Sequence, residues 1–272
     1  MIKNKGVLEG VRDTDYLAGI LPYEVRNPTG DWTSFLPSEE RQVRYNIRTQ
    51  ACVAFSCLNV VETQLNFLGD PRNLSDRYLA YMSGTTQFGN YLWKVADTLR
   101  KDGVVSEEDW GFPELSLEEY IGKSEEWVWN YYYVPPTIEL INKAKLFLNE
   151  YSIAYEWIPT DKESLIYHLK HAPIQVTLPG HAVMSFYSTQ DVIHYFDTYS
   201  PFKKTTPSIV SALKIVLTKK GMTNEQVRKL HVLFGLGLND PTSIEYWTGK
   251  PLDDFLNQRV KDIKEEIHVI TV

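Results

Sequence analysis

Only two cysteines occur in the 272 residues, and one of them stands where a thiol can be made reactive. Gln50 to Leu58 reads QACVAFSCL, and the apolar residues continue through Val60, Val61, Leu65 and Leu68. The pattern predicts a helix buried nearly all round, with Cys52 in its first turn. A helix N-terminus presents unpaired N–H groups and a partial positive charge, and both favour thiolate over thiol. Cysteine is also among the most buried residue types and often serves as a small hydrophobe, and this stretch alone favours that role. Cys57 lies five residues on, about 140° round the same helix, so the two side chains point apart and a disulfide between them is not expected.

A thiol needs a base, and the base needs an orienting group. His181 opens one arm of a predicted hairpin, and Asp197 closes the other arm sixteen residues later. On antiparallel strands such positions come opposite each other. A carboxylate there can hold an imidazole by one ring nitrogen while the other nitrogen faces a thiol. Cys52, His181 and Asp197 are thus the candidate nucleophile, base and orienting acid. His168, His171, His194, His231 and His268 read as surface or packing residues. No CxxC or HExxH spacing is present, so neither a metal site nor a cofactor is expected.

Several elements must position these groups. Residues 1–29 read as an N-terminal arm carrying NPTGDW at its end. The cysteine helix stops at Gly69-Asp70-Pro71, and NLSDRYLAYMSG and YLWKVADTLRKDG predict two more helices. WVWNYYYVPP (Trp127–Pro136) reads as a strand or extended segment on the core, with a ligand-stacking platform as the alternative. Thr137 can cap a helix over IELINKAKLFLNEY, and a short helix follows at SLIYHLKH. The texture then turns to strands in PIQVTL, HAVMSFYS and VIHYFDTYS, with STQD as a turn, while SIVSALKIVLTK is apolar and of open type. A helical half followed by a strand-rich half implies an α+β body over residues 30–221, with a cleft between the halves. Residues 222–272 read as a small helical appendage, with a capping box at Thr223 and Gln226 and Pro251 opening a second helix.

Composition removes several function classes. With 28 basic and 35 acidic residues the net charge is −7, and no Lys/Arg run exceeds two, which argues against nucleic-acid binding. No stretch approaches the roughly 20 apolar residues that cross a bilayer, and the N-terminus lacks the apolar centre of a signal peptide.

The residues around the candidate triad resemble the papain-like cysteine peptidases. CVAFS (Cys52 to Ser56) is similar to that family's Cys-Trp-Ala-Phe-Ser, with Val53 in the tryptophan position. GHAV (Gly180 to Val183) resembles the stretch around its histidine, and DTYS (Asp197 to Ser200) stands where the family has Asn-Ser-Trp-Gly. NLSDRYL, FGN (Phe88 to Asn90), GVVSEEDWGFP and GDW (Gly30 to Trp32) resemble further family segments in the same order, so the likeness spans about residues 30 to 205. It is similar in particular to the short members found in bacteriophage genomes, which lack an inhibitory propeptide.

The resemblance implies a two-lobed fold, a helical lobe beside an antiparallel β lobe, and peptide-bond hydrolysis by Cys52, His181 and Asp197 without a cofactor. It implies that Gly89, Asn90, Gly180 and Tyr199 line the substrate cleft, with Tyr199 shielding the His–Asp pair. The family places its oxyanion glutamine six residues before the cysteine. Asn46 holds that position here, and Gln42 and Gln50 are the other candidates. A carboxylate in place of the family's asparagine is chemically sound, since it stabilises imidazolium more than an amide does. The substrate would be a peptide or protein. Two alternatives share the fold: a thiol amidase or transamidase, and a weakly active or inactive structural component of a phage particle. Residues 222–272 would then dock on phage structural proteins, and the chain would reside in the host cytoplasm or the assembled virion.

Overall fold

A computed structural model of the chain describes residues 7–8, 24–44, 47–112, 116–120 and 122–220. The chain divides into two units, 1–217 and 218–272, and nearly all described residues lie in the first. The expected C-terminal appendage, with Thr223, Gln226, Pro251, His231, His268 and its docking role, lies outside the described residues.

From the N-terminal arm, β1 (Val7–Leu8) pairs in parallel with β4 (Asn90–Tyr91). Trp32 of the GDW stretch is fully buried, and its indole N–H donates to the Leu169 carbonyl at 2.7 Å. Thr33–Phe35 forms a single 3-10 turn. Next comes a short antiparallel hairpin, β2 (Val43–Arg44) with β3 (Ile47–Arg48).

The apolar run at Cys52 forms α1 (Cys52–Phe67), in which every residue from Cys52 to Leu65 is buried. It ends as the glycine predicts. Gly69 takes φ +74°, its N–H donates to the Asn66 carbonyl, and that of Asp70 reaches back to Leu65, which satisfies two carbonyls of the last turn. α2 (Asp76–Met82) starts at Ser75, whose hydroxyl accepts from the Tyr78 N–H. α3 (Leu92–Asp102) closes on Gly103. Two single turns follow, α4 (Glu107–Trp110) and α5 (Leu117–Tyr120).

The aromatic segment is a helix, α6 (Glu125–Tyr132), not the strand or extended segment its composition suggests. The physical reason lies in spacing. Ser124 caps the first turn, Glu126 stands near the positive end of the helix dipole, and aromatic residues four apart stack along the axis. Trp127 and Tyr131 lie 4.6 Å apart between ring centres, and Trp129 and Tyr133 lie 4.3 Å apart. α7 (Ile138–Glu150) follows from its Thr137 cap.

The second half is a six-stranded sheet in the order β5–β10–β6–β7–β8–β9. Its strands are β5 (Tyr151–Ile158), β6 (Ile174–Leu178), β7 (His181–Ser188), β8 (Ile193–Phe196), β9 (Lys203–Thr206) and β10 (Ser211–Lys219). α8 (Lys162–Leu169) lies between β5 and β6 in sequence. β10 settles the open type of SALKIVLTK as strand, and β5 and β9 add two strands beyond the three the sequence suggested. The fold class is α+β, with a helical lobe and an antiparallel β lobe.

α1 joins the lobes, packing against α2 and α3 and against β6 and β7. The polar residues it buries make those joints. Gln64 donates to the Ile215 carbonyl and accepts from the Leu217 N–H. Gln175 of β6 donates to the Val53 carbonyl and the Ser56 hydroxyl, both at 2.8 Å, and so pins the first turn of α1 to the sheet. A charged group lies deep in the β lobe: Lys214, fully buried, sits 2.9 Å from Glu156 and donates to His168 Nδ1 at 2.8 Å. His168 and His171 are thus packing residues, and both are buried.

Candidate active site

Cys52 is the first residue of α1, and Ala51, its N-cap, has no side chain with which to cap the N–H groups of that turn. Cys52 thus lies at the positive end of the helix dipole, which favours thiolate over thiol. Cys52 is fully buried, and so is Cys57. Burial, and then the Asp76 charge, push the Cys57 thiol far above its ordinary value, which makes it an inert core thiol.

His181 is placed by a two-residue loop. Leu178 pairs with His181 across Pro179-Gly180, and Gly180 takes φ +68°, a conformation that other residues adopt only at a cost. The imidazole is buried, and its Nε2 lies 2.7 Å from Asp197 Oδ1. The sequence placed these two residues opposite each other. Instead, β7 and β8 pair Met184 with Phe196, so Asp197 is offset along the ladder, one step past the end of β8, and reaches the ring diagonally. Its own N–H donates to the Phe202 carbonyl, and it accepts from the Tyr199 N–H at 3.3 Å.

Asp197 is 2% exposed. Burial works to raise its carboxyl, but the hydrogen bonds and charges of His181 and Lys204 outweigh this and hold it below the ordinary carboxylate value. An ionised carboxylate can only accept. Nε2 is therefore the protonated nitrogen of His181, and Nδ1 is the one able to exchange a proton.

Tyr199 packs on the imidazole and feels the Cys52 charge. Its ring stands edge-on to His181 at 5.3 Å between centres. Burial, and then the Cys52 charge, push its hydroxyl up to about 12. The same two causes raise Tyr133, whose hydroxyl donates to the Thr49 carbonyl. Cys52 thus lies within electrostatic reach of two phenols, one from the sheet side and one from the end of α6.

Of the two oxyanion candidates among the described residues, Gln42 is the one bonded to this group. Its Nε2 donates to the Tyr199 hydroxyl at 3.0 Å, and its Oε1 accepts from the Thr198 hydroxyl at 2.9 Å. It lies ten positions before Cys52, but the β2–β3 hairpin pairs Val43 with Arg48 and returns the chain, so the Thr49 hydroxyl donates to the Gln42 carbonyl at 3.2 Å. Asn46 lies outside the described residues. Gln50 is half-buried and holds φ +58°, a left-handed turn directly before Ala51 and Cys52.

No family model and no curated protein matches the sequence. Solved structures do. Xylellain, a cysteine protease from Xylella fastidiosa, superposes on 78% of this chain and 96% of its own, with TM-score 0.56 and 14% identity. The fold is papain-like. Two further neighbours are procathepsin L 3 from the larval midgut of Tenebrio molitor (TM-score 0.49, 15% identity, 78% and 76% covered) and a Carica candamarcensis cysteine protease in complex with E-64 (0.47, 11%, 68% and 96%). At identities this low the likeness speaks for the fold and leaves the chemistry to the residues.

In this papain-like frame the helical lobe supplies the thiol and the β lobe the imidazole. Gly89 closes a tight Thr86–Gly89 turn at φ +96°, with Phe88 exposed at its tip. The Asn90 side chain is buried, donating to the Ser83 carbonyl and to the Ser83 and Thr85 hydroxyls, and its backbone lies in β4. That backbone pairs with Val7 of the N-terminal arm.

Sequence reasoning did not single out Lys204, which donates to Asp197 Oδ2 at 2.6 Å, nor Tyr133. The one signal for Lys204 was a lysine in an alternating polar strand near Asp197. A cavity of about 760 Å³ among the helices, lined by Glu40, Arg72, Asn73, Glu107 and Phe112 among others, shares no residue with this site. Among the described residues no group of three or more His, Cys, Asp or Glu is placed to hold a metal ion, and no helix is long and apolar enough to cross a membrane.

Proposed function

We propose that the chain is a cysteine peptidase in which Cys52, His181 and Asp197 act as a triad. The observation that carries this reading is the buried 2.7 Å contact between His181 Nε2 and an ionised Asp197, which commits one ring nitrogen and turns Nδ1 to proton transfer. The thiol at a helix N-terminus without a side-chain cap, whose charge acts on the same Tyr199 that packs on His181, supports the second half of the reading.

The chemistry follows from the groups. Cys52 Sγ, as thiolate beside the His181 imidazolium, attacks the carbonyl carbon of a peptide bond. The resulting oxyanion is met by the Cys52 backbone N–H and by Gln42, whose Nε2 carries a second hydrogen beyond the one given to Tyr199. The His181 Nδ1 proton passes to the leaving amine, the C–N bond breaks, and a thioester remains on Cys52. Water then attacks the thioester, giving its proton to Nδ1, and the thiolate leaves. No cofactor takes part.

Iodoacetamide alkylation with peptide-hydrolysis assays tests the proposal. Cys52 should react faster than a model thiol at pH 6, with Cys57 unreacted. His181→Ala should abolish the difference, and Cys52→Ala should abolish hydrolysis. An unreactive Cys52 together with no new amino termini from an unfolded protein substrate would overturn it. Ammonia released from glutamine side chains without new termini would assign the same triad to amide hydrolysis or transfer instead.

A further inference from the structure

We infer that Lys204 is a positioning residue of this site: its ammonium balances the charge of Asp197 and thereby sets how tightly the carboxylate holds the His181 imidazolium. The inference rests on the proposed catalytic pairing of Cys52 with His181.

Three contacts define the arrangement. His181 Nε2 occupies Asp197 Oδ1 at 2.7 Å, Lys204 Nζ occupies Oδ2 at 2.6 Å, and the same ammonium donates to the Tyr199 carbonyl at 2.9 Å. The carboxylate is buried between two cationic partners, one of which can lose its proton. Lys204 lies on β9 opposite Tyr195 of β8, and burial alternates along this edge strand, so that Lys203 and Thr205 face solvent while Lys204 turns inward. Lysine on an edge strand ordinarily keeps its ammonium in water. Here it spends that freedom on two acceptors that both belong to the loop carrying Asp197 and Tyr199.

Charge counting gives the reason. A neutral amide at position 197 would orient the imidazole without adding charge beside it. Asp197 adds a buried negative charge that by itself would favour imidazolium strongly enough to hinder proton delivery to a leaving amine. Lys204 returns the orienting unit to neutrality while keeping the carboxylate ionised. Among the described residues, the other titratable groups coupled to this unit are Cys52 of α1, Tyr195 of β8, Tyr199 of the loop that follows β8, and Arg48 of β3, which acts on Tyr199. None of these forms an ion pair with Asp197, whereas Lys204 pairs with its Oδ2 at 2.6 Å.

The test follows the His181 ring by NMR titration in the full chain with Cys52→Ser, so that no activity is needed. Removing the charge in Lys204→Met should raise the His181 pKa by about one to two pH units, as expected for one charge across a carboxylate at an effective dielectric near 20. Lys204→Arg should restore it, and Asp197→Asn with Lys204→Met should bring it back close to the starting value. In the protein with Cys52 intact, the alkaline limb of alkylation should move up with it. If Lys204→Met does not fold, Lys204→Gln gives the same reading with a neutral donor. A His181 titration that changes by less than about 0.3 pH unit in the uncharged variant overturns the inference. A full shift in a protein that cleaves no peptide sustains the charge balance and overturns only the peptidase reading.

Discussion

Gln42→Ala separates the role of oxyanion donor from that of structural link. Gln42 is 1% exposed, and its amide holds the Thr198 hydroxyl at 2.9 Å and the Tyr199 hydroxyl at 3.0 Å, on the loop that follows Asp197. Losing those two bonds should cost about 1–3 kcal/mol of stability, at roughly 0.5–1.5 kcal/mol each. Losing a donor to the oxyanion should lower kcat by about 10²–10³-fold, equivalent to about 2.7–4 kcal/mol. Alkylation by iodoacetamide distinguishes the two, because displacement at a saturated carbon forms no oxyanion. The variant should therefore keep its alkylation rate while losing hydrolysis. Gln42→Glu sharpens the comparison, since it keeps an acceptor for Thr198 but has no N–H to give. Its hydrolysis should fall at least as far as that of the alanine variant. If alkylation falls in step with hydrolysis, Gln42 acts by placing Tyr199 and Cys52; if hydrolysis is unchanged in both variants, the oxyanion donor is another group.

Three further outcomes are expected. Burial, and then the Lys214 charge, lower the His168 pKa from its ordinary 6.5 to about 4. The unfolded chain then binds the proton first as pH falls, so stability is fully present above pH 6.5 and is lost down to about pH 4. At 1.36 kcal/mol per pH unit the loss approaches roughly 3 kcal/mol, and His168→Gln should flatten this part of the curve in urea unfolding at pH 7, 6, 5 and 4. Gln175→Leu removes both donors that tie the first turn of α1 to β6 and leaves their acceptors buried, which should cost about 1–3 kcal/mol in the same assay. Gly180→Ala forces a side chain onto φ +68° one residue before His181, which should cost about 1–2 kcal/mol and slow Cys52 alkylation wherever the ring is displaced.

What the sequence made legible was carried by local chemistry. The Cys52 helix, its stop at Gly69, the Ser75 and Thr137 caps and the strands flanking Gly180 each depend on residues within a few positions of one another. The pairing of thiol and imidazole came from order and spacing that resemble a known pattern, and it remains part of the proposed function. Contacts that close over long sequence distances stayed hidden. Lys214, Glu156 and His168 come from β10, β5 and α8, and nothing near any of them predicts that a lysine will be buried. The segment at α6 misled for a different reason: its tryptophans and tyrosines carry strand propensity, and their four-residue spacing, which stacks them on a helix, was the stronger term. The offset of Asp197 was equally hidden, because ladder register is set by pairing and not by composition.

The departures from the expected pattern converge on one residue, Thr49. Gln50 holds a left-handed turn that costs an ordinary residue about 1–2 kcal/mol, and it does so two residues ahead of the thiol. Thr49 is held from both sides of that turn. Its hydroxyl donates to the Gln42 carbonyl across the β2–β3 hairpin, and its carbonyl accepts from Tyr133 at the end of α6. Two such bonds, at roughly 0.5–1.5 kcal/mol each, offset the turn. The hairpin that lengthens the spacing between Gln42 and Cys52 is also the piece against which α6 packs. The residues of the hairpin and the aromatic helix therefore act as one support, which lets a glutamine ten positions before Cys52 bond to the Tyr199 that packs on His181.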